Sequence, residues 1–564
     1  MTMLDAGNIE EGRCFPGRRD RARVSFLLIC VVAGFMGLAK SGWQANLIVY
    51  LIDEFNFEPI VAAQIYNVVN GCMCFLPIIA AIVADSYFGC FPVASVSFLI
   101  SFLGIVIISL TATLVSLRPH QCTAGSSTCD PPSKIQSATL YVGITLSVLG
   151  VGGSGFTMIT LGANQFDNEK QQGAFFNWSF FCQYVGTATG LTLLLYIEES
   201  VNWRLGFWMS AGANLIGFAV FLIGHRCYRH IKPQGSPFTS LACVLVAALR
   251  KRKLPIPSDS NAYYSRIQEK SKGELALIPR EKFGFLNHAA IKMEGDVNSD
   301  GVIVKRWRLC TVQQVEDLKM LIGVSPLWLS SILLSTPIAV QNSMTILQAL
   351  TVNRRLGSSF EIPAGSVLVL IMFSATIWLT IIDRLLFPAC QKLSGSPPTF
   401  LQSVGVGHVF IILGMVVSAL VESKRLHTSS RSNPDSTTVS MSILWLFPQL
   451  ILVGIGEAFH FPGQLSFFYC EFPESLKSSA TAIVGAIIGI AYYVSIGSVD
   501  MFRTRTTWLP QDLDKGRLDL VYWVLAAIGL TNFGYFLACA CLYKSTEKAD
   551  DAVAASGANL DGKK

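Results

Sequence analysis

Apolar residues in this chain come in long unbroken runs instead of alternating with polar ones. Twelve runs reach the roughly 20 residues a helix needs to cross a bilayer. They lie near 25–52, 60–84, 91–116, 137–162, 174–197, 205–227, 317–346, 362–388, 402–423, 440–468, 478–502 and 518–543. Hydrocarbon offers backbone amides no partner, so each run is predicted to satisfy its own as a helix. The expected fold is all-α and integral to the membrane. A cytoplasmic arm (1–24) leads into a six-helix half (25–227), a basic linker (228–316), a second six-helix half (317–543) and a tail (544–564).

Composition agrees: 51% of residues are hydrophobic and 14% charged, too apolar for a soluble chain of this length. The first run is too long for the core of a cleaved signal peptide, and residues 1–24 are polar, so none is expected. Basic residues set the predicted orientation. Arg13, Arg18, Arg19, Arg21 and Arg23 precede helix one, and "RKRK" (250–253) and "KRWR" (305–308) lie in the linker. Both segments are expected in the cytoplasm, and an even number of helices returns the C-terminus there. "ESKRLHTSSR" (422–431) falls on the opposite side and breaks the rule locally. The formal charge of +6 follows this topology, and no nucleic-acid partner is expected.

In the linker, "GSPFTSLACVLVAALRKRKLP" (235–255) has apolar residues at helical spacing before a basic run, predicting an amphipathic helix on the membrane surface. Of the fifteen cysteines, Cys122 and Cys129 in the outer loop are the candidate disulfide pair. Asn177 opens a glycosylation triplet, but at the cytoplasmic start of helix five, where the modification is not expected. No CxxC, HExxH or Walker loop appears, so no metal or nucleotide cofactor is nominated. No nucleophile and base motif points to an enzyme.

Several ordered motifs give the chain a family likeness. "GVGGSGFTMITLGANQFD" (150–167), "FFNW" (175–178), "GSPFT" (235–239), "WRLCTVQQVEDLKMLI" (307–322), "FEIP" (360–363), "FPQLILVGIGEAFHFPGQLSFFYCEFPESLKS" (447–478) and "WLPQDLDKGRLD" (508–519) resemble the plant nitrate/peptide transporter family. That family is the proton-coupled oligopeptide transporter branch of the major facilitator superfamily. The likeness runs from about residue 24 to 545. It implies the major facilitator fold, with substrate held between the halves near the bilayer midplane.

Against the family pattern, charge is missing. The resemblance implies ExxER in helix one, but the aligned positions are Ala33, Met36 and Gly37, and the tyrosine pair that follows becomes Lys40 and Ser41. Gly155 replaces a basic residue of helix four, and Cys74 a tyrosine of helix two. In "ADSYFGCFP", Asp85 and Gly89 of the superfamily's gating motif remain while Cys90 replaces its arginine. Ile338 stands where one nitrate-carrying type has a histidine.

Lys40 runs against this trend. A lysine at the centre of a spanning helix costs roughly 2.5–3.5 kcal/mol on insertion scales, and helix one offers no acid to pair with it. Positions 33, 36, 37, 40, 41 and 44 share a helical face, which the resemblance implies lines the cavity. Lys40 is therefore expected to face water and favour an anion, with Gln44 supplying a hydrogen bond; the alternative is a lysine snorkelling to the interface. In the second half, the resemblance places Glu457 beside the substrate, and the competing reading makes it a partner for Lys319 or Lys40. Gln341 and Asn342 are further candidate substrate contacts, Pro337 a candidate gating kink, and His460 a core residue.

The resulting expectation is a transporter of small inorganic anions, nitrate first and chloride second, working outward at the plasma membrane with weak or no proton coupling. Those missing charges resemble the nitrate excretion subgroup. The alternatives are a proton-coupled importer of nitrate, peptide or an organic solute such as a glucosinolate, a vacuolar location, and a sensor that binds without transporting.

Overall fold

The computed structural model describes residues 18–120, 130–166, 169–229, 235–255, short stretches between 257 and 280, 282–298, 303–357, 360–395, 398–431, 439–472 and 480–561. Twelve helices long and apolar enough to span a membrane occupy the places the apolar runs predict. They are Arg23–Asp53, Pro59–Phe88, Cys90–Thr113, Lys134–Ala163, Trp178–Ser200 and Trp203–Arg226 in the first half. The second half has Val312–Thr351, Gly365–Leu393, Phe400–Ser429, Ile443–Phe468, Ala482–Arg505 and Leu518–Tyr543. The arginines before Arg18, the pair Cys122 and Cys129, and the side chain of Asn177 lie outside the described residues.

Helix ends follow local chemistry. Ser133, Thr311 and Thr399 each accept from the amide three residues on, and the glutamine there (Gln136, Gln314, Gln402) reaches back to the cap, a reciprocal pair that satisfies two orphan amides. This box starts helix seven at Val312, five residues before its apolar run. Helix two ends in a π-helical turn, Ala84–Phe88, stopped by Gly89 at φ 82°, a backbone state that glycine enters without steric cost. Gly89 donates to the Ala84 carbonyl at 2.8 Å, and the Asp85 carbonyl accepts from Gly235 at 3.0 Å, fastening the linker to this turn. Among the described residues, Asp85 thus joins the linker to helix two, while Gly89 ends the helix.

Glycine lets helix one and helix five touch backbone to backbone. A β-carbon on Gly186 would sit 1.9 Å from the Gly34 carbonyl oxygen, and one on Gly37 would sit 2.4 Å from that of Gln183.

The linker helix, Pro237–Lys251, differs from expectation. Val244, Ala247 and Ala248 pack on Tyr263, Leu286, Ala289 and Ile291 and on Val312 and Val315 of helix seven. Protein, not lipid, covers that face, while Leu245 and Leu249 on the other side stay exposed. The Lys251 ammonium is buried with Asp296 at 3.1 Å and the Ile291 carbonyl at 2.6 Å. Inside this unit, burial pushes the Cys310 thiol up to about 12.

Within the basic segment that breaks the orientation rule, Arg425 is neutralised in place and Lys424 is held on an aromatic ring. Arg425 is fully buried, bonded to Glu422 at 2.7 Å and to Asp514. Lys424 sits 3.1 Å from the centroid of the Trp445 ring. Gln348 of helix seven donates to Glu422 at 2.7 Å, and Gln449 of helix ten donates to Gln348 at 3.3 Å, so helices seven, nine and ten share one polar network.

Candidate functional site

Ala33, Met36 and Lys40 line a cavity of about 40 Å³ together with Phe98, Val151, Ser154, Gly155, Met158, Ile159 and Gln183. In this conformation there is room for a water molecule or two. Two positions whose side chains lack the family's charge, Ala33 and Gly155, thus meet around the one ammonium on the wall. Lys40 is half-buried and, among the described residues, has no hydrogen bond or ion pair. Cys74 of helix two is the titratable side chain beside it.

The shared helical face divides more finely than its spacing implies. Gly37 and Ser41 turn to helix five: a β-carbon on Gly190 would meet Ser41 Oγ at 1.9 Å. Gln44 is buried and donates to Asn70 Oδ1 of helix two at 2.7 Å. Gln44 is thus turned to helix two in this conformation, one turn beyond Lys40, and does not line the cavity described above.

In the second half, Glu457 is half-buried and no described basic side chain pairs with it. Lys319 is bonded instead to Glu316 at 2.8 Å and to the Arg280 carbonyl at 2.5 Å, which removes the pairing considered above. Tyr184 of helix five and Tyr492 of helix eleven lie within electrostatic reach of Glu457, so it faces the gap between the halves. Gln341 is fully buried and donates to Ser418 of helix nine at 2.9 Å. In this conformation it packs within the second half. Asn342 is turned to Tyr492. Pro337 is buried inside a helix seven that runs unbroken from Val312 to Thr351.

His460 is buried, but it is not a satisfied core residue. His408 of helix nine faces it with ring centroids 5.7 Å apart, and all four ring nitrogens lack partners among the described residues. His408 stacks on Phe536 at 4.7 Å. The pair escaped sequence reasoning because its members are fifty-two positions apart.

The two halves are tied on the side away from the linker. Arg503 meets Glu58 at 2.6 Å and Arg354 meets Glu199 at 2.6 Å. Gln511 donates to Glu58 at 2.5 Å, Ser366 to the Leu191 carbonyl at 2.6 Å, and the Ala364 amide to Glu199 at 3.1 Å. Deeper, Asn67 donates to Ser343 at 3.2 Å. Among the described residues, both ion pairs that cross between halves are on this far side, so it is the closed side.

Residues 93–512 match the POT family. Two Arabidopsis thaliana relatives cover nearly all of the chain: protein NRT1/PTR FAMILY 2.7 is 49% identical over 95% of each chain. NRT1/PTR FAMILY 2.6 is 47% identical over 94% of this chain and 95% of its own. The crystal structure of the POT family transporter PepTSo superposes with a TM-score of 0.68 at 16% identity, covering 92% of this chain and 98% of that one, a likeness of fold. Together, the span of the family match, the identity to these relatives and the two-half helical architecture show that the chain belongs to the POT family of membrane transporters, in its NRT1/PTR branch.

Proposed function

We propose that this transporter moves a small inorganic anion, nitrate first and chloride second, outward across the plasma membrane, without an obligatory proton. The observation that carries this reading is Lys40: an ammonium on a cavity wall, without a paired acid, beside Ala33 and Gly155. In a low-dielectric cavity an uncompensated cation favours an anionic guest. A proton-coupled cycle needs a side chain that gains and loses a proton beside the substrate, and neither Ala33 nor Met36 can do so. A negative cell interior drives anions out at about 2.3 kcal/mol per charge per 100 mV, so export needs no second ion. The arm and linker basic residues support cytoplasmic termini, which makes the far side the outer side.

Glu457 favours a second reading, proton-coupled import with that carboxyl as the lone proton carrier, because it faces the gap without a basic partner. Voltage-clamped currents in expressing cells, with nitrate, chloride and a dipeptide exchanged at two external pH values, separate the two. The expected result is a nitrate current set by voltage. A current that vanishes when the proton gradient is collapsed at fixed voltage overturns export in favour of import.

A further inference from the structure

Beyond the cavity, one carboxyl group sits where a carboxylate should not. Glu198, in the last turn of helix five, is 1% exposed. Its Oε2 accepts from Asn46 Nδ2 at 3.3 Å, while Glu198 Oε1 and Asn46 Oδ1 are both buried without a partner. Both orphans are acceptors, so the pair is short of one donor. A proton on Glu198 supplies it: an acid and an amide then bond in both directions, whereas an ionised carboxylate here would be a buried charge with a single neutral donor.

The place of this pair in the fold gives the proton a route. Asn46 lies where helix one meets the start of helix eight: a β-carbon on Gly365 would sit 2.8 Å from the Ala45 carbonyl and 3.1 Å from both Asn46 Oδ1 and Leu195 Cδ2. Helix eight belongs to the other half, so separation of the halves on the far side uncovers Asn46 and brings water to the carboxyl behind it. We infer that Glu198 is a proton-binding site at this junction, protonated while the far side is closed and releasing its proton to the outer medium when that side opens. Because the group is sealed from the linker side in the closed state, the proton returns to the side it came from. External pH then sets how readily the outer side opens, and no proton crosses the membrane.

Neighbouring groups do not reproduce this behaviour. Glu199 on the same helix shares the Asn46 amide and lies within electrostatic reach of Glu198, but it is held as a carboxylate by Arg354 and the Ala364 amide. On helix one, Asp53 lies near Arg354 and Glu54. Helix six presents Gly206 to the Glu198 side chain, and its Arg204 turns to the Thr113 carbonyl at 3.5 Å. Helix eight contributes the uncharged Ala364, Gly365 and Ser366. Protonating Glu58 or Glu199 would break a cross-half ion pair and favour opening in acid, the opposite sign to Glu198, whose protonation favours closure.

The inference adopts the orientation proposed above but is independent of the solute carried, and its test uses no transported solute. Spin labels on unnatural residues at the exposed positions Val201 and Leu356, which flank the junction from opposite halves, report far-side opening in the full-length protein in nanodiscs. One proton released on opening makes the open-to-closed ratio rise by about tenfold per pH unit above the ordinary carboxylate range. Glu198→Gln keeps the shape without titrating and is expected to flatten that slope; Glu198→Met serves the same purpose should the amide variant misfold. A wild-type ratio indifferent to pH, a slope of the opposite sign, or a slope that persists in the non-titrating variant overturns the inference.

Discussion

Lys40 was legible from the sequence because a charge inside an apolar run stands out against the energy of inserting it. What that chain of residues did not reveal is direction. Gln44 shares the lysine's helical face by spacing yet reaches helix two, and Gln341 looks like a cavity amide yet bonds to helix nine. A helix of uniformly apolar residues lacks the amphipathic contrast that tells one buried face from another. Pairs such as Asn46 with Glu198, or His408 with His460, lie far apart in the chain and meet only in the fold. The lysine itself gives a direct test. Lys40→Met keeps the length and apolar stem and deletes the charge, so nitrate flux normalised to surface protein should need several-fold more nitrate for half-saturation, and Lys40→Glu more still. Superimposable concentration curves for wild type and Lys40→Met would eliminate Lys40 as an anion-site residue.

At the level of elements, helix number and order were readable because the apolar runs are long and polar residues mark every break between them. Their ends were less so, since caps and not hydropathy decide them: the Thr311–Gln314 box extends helix seven beyond its apolar run. The linker helix is the complementary case, for part of its apolar surface packs on protein, a contact that periodicity does not foretell. Glycine contacts were invisible for the same reason as side-chain direction. Gly37 aligned with a lost arginine, but its position is occupied by the backbone of helix five, so restoring a side chain there would separate two helices. Gly186→Leu should therefore lower the thermal stability of the purified protein, by an overpacking energy of roughly 1–3 kcal/mol or more. Gly212→Ala, at a helical site with nothing within 4 Å, is the control and should not lower the melting temperature; a Gly186→Leu melting temperature no lower than that of the wild type would refute the close crossing.

For the whole molecule, the polar ties that cross between the halves on the far side leave the linker side to open, and the polar network of Arg425, Glu422, Gln348 and Gln449 ties helices seven, nine and ten of the second half together. Two rigid halves rocking about a fixed site is the motion that such architectures use, and it carries Lys40 with it. A fixed cation that sees the inside solution in one state and the outside solution in the other is a gating charge, although no ion need be bound. On the proposed reading, nitrate aboard would leave the carrier neutral at this point, and the loaded step would not sense the membrane potential. Empty, it is positive, and an interior-negative potential draws it to face inward, by up to about 2.3 kcal/mol per 100 mV for a full charge. The resting membrane would thus reload the exporter from the cell side. Voltage steps in anion-free solution should evoke transient currents whose integrals match on stepping and returning, and Lys40→Met should abolish them; transients unchanged in that variant would show that the charge sensing the field lies elsewhere. The residue that makes the cavity attractive to an anion would then also be the spring that returns the empty protein to collect the next one.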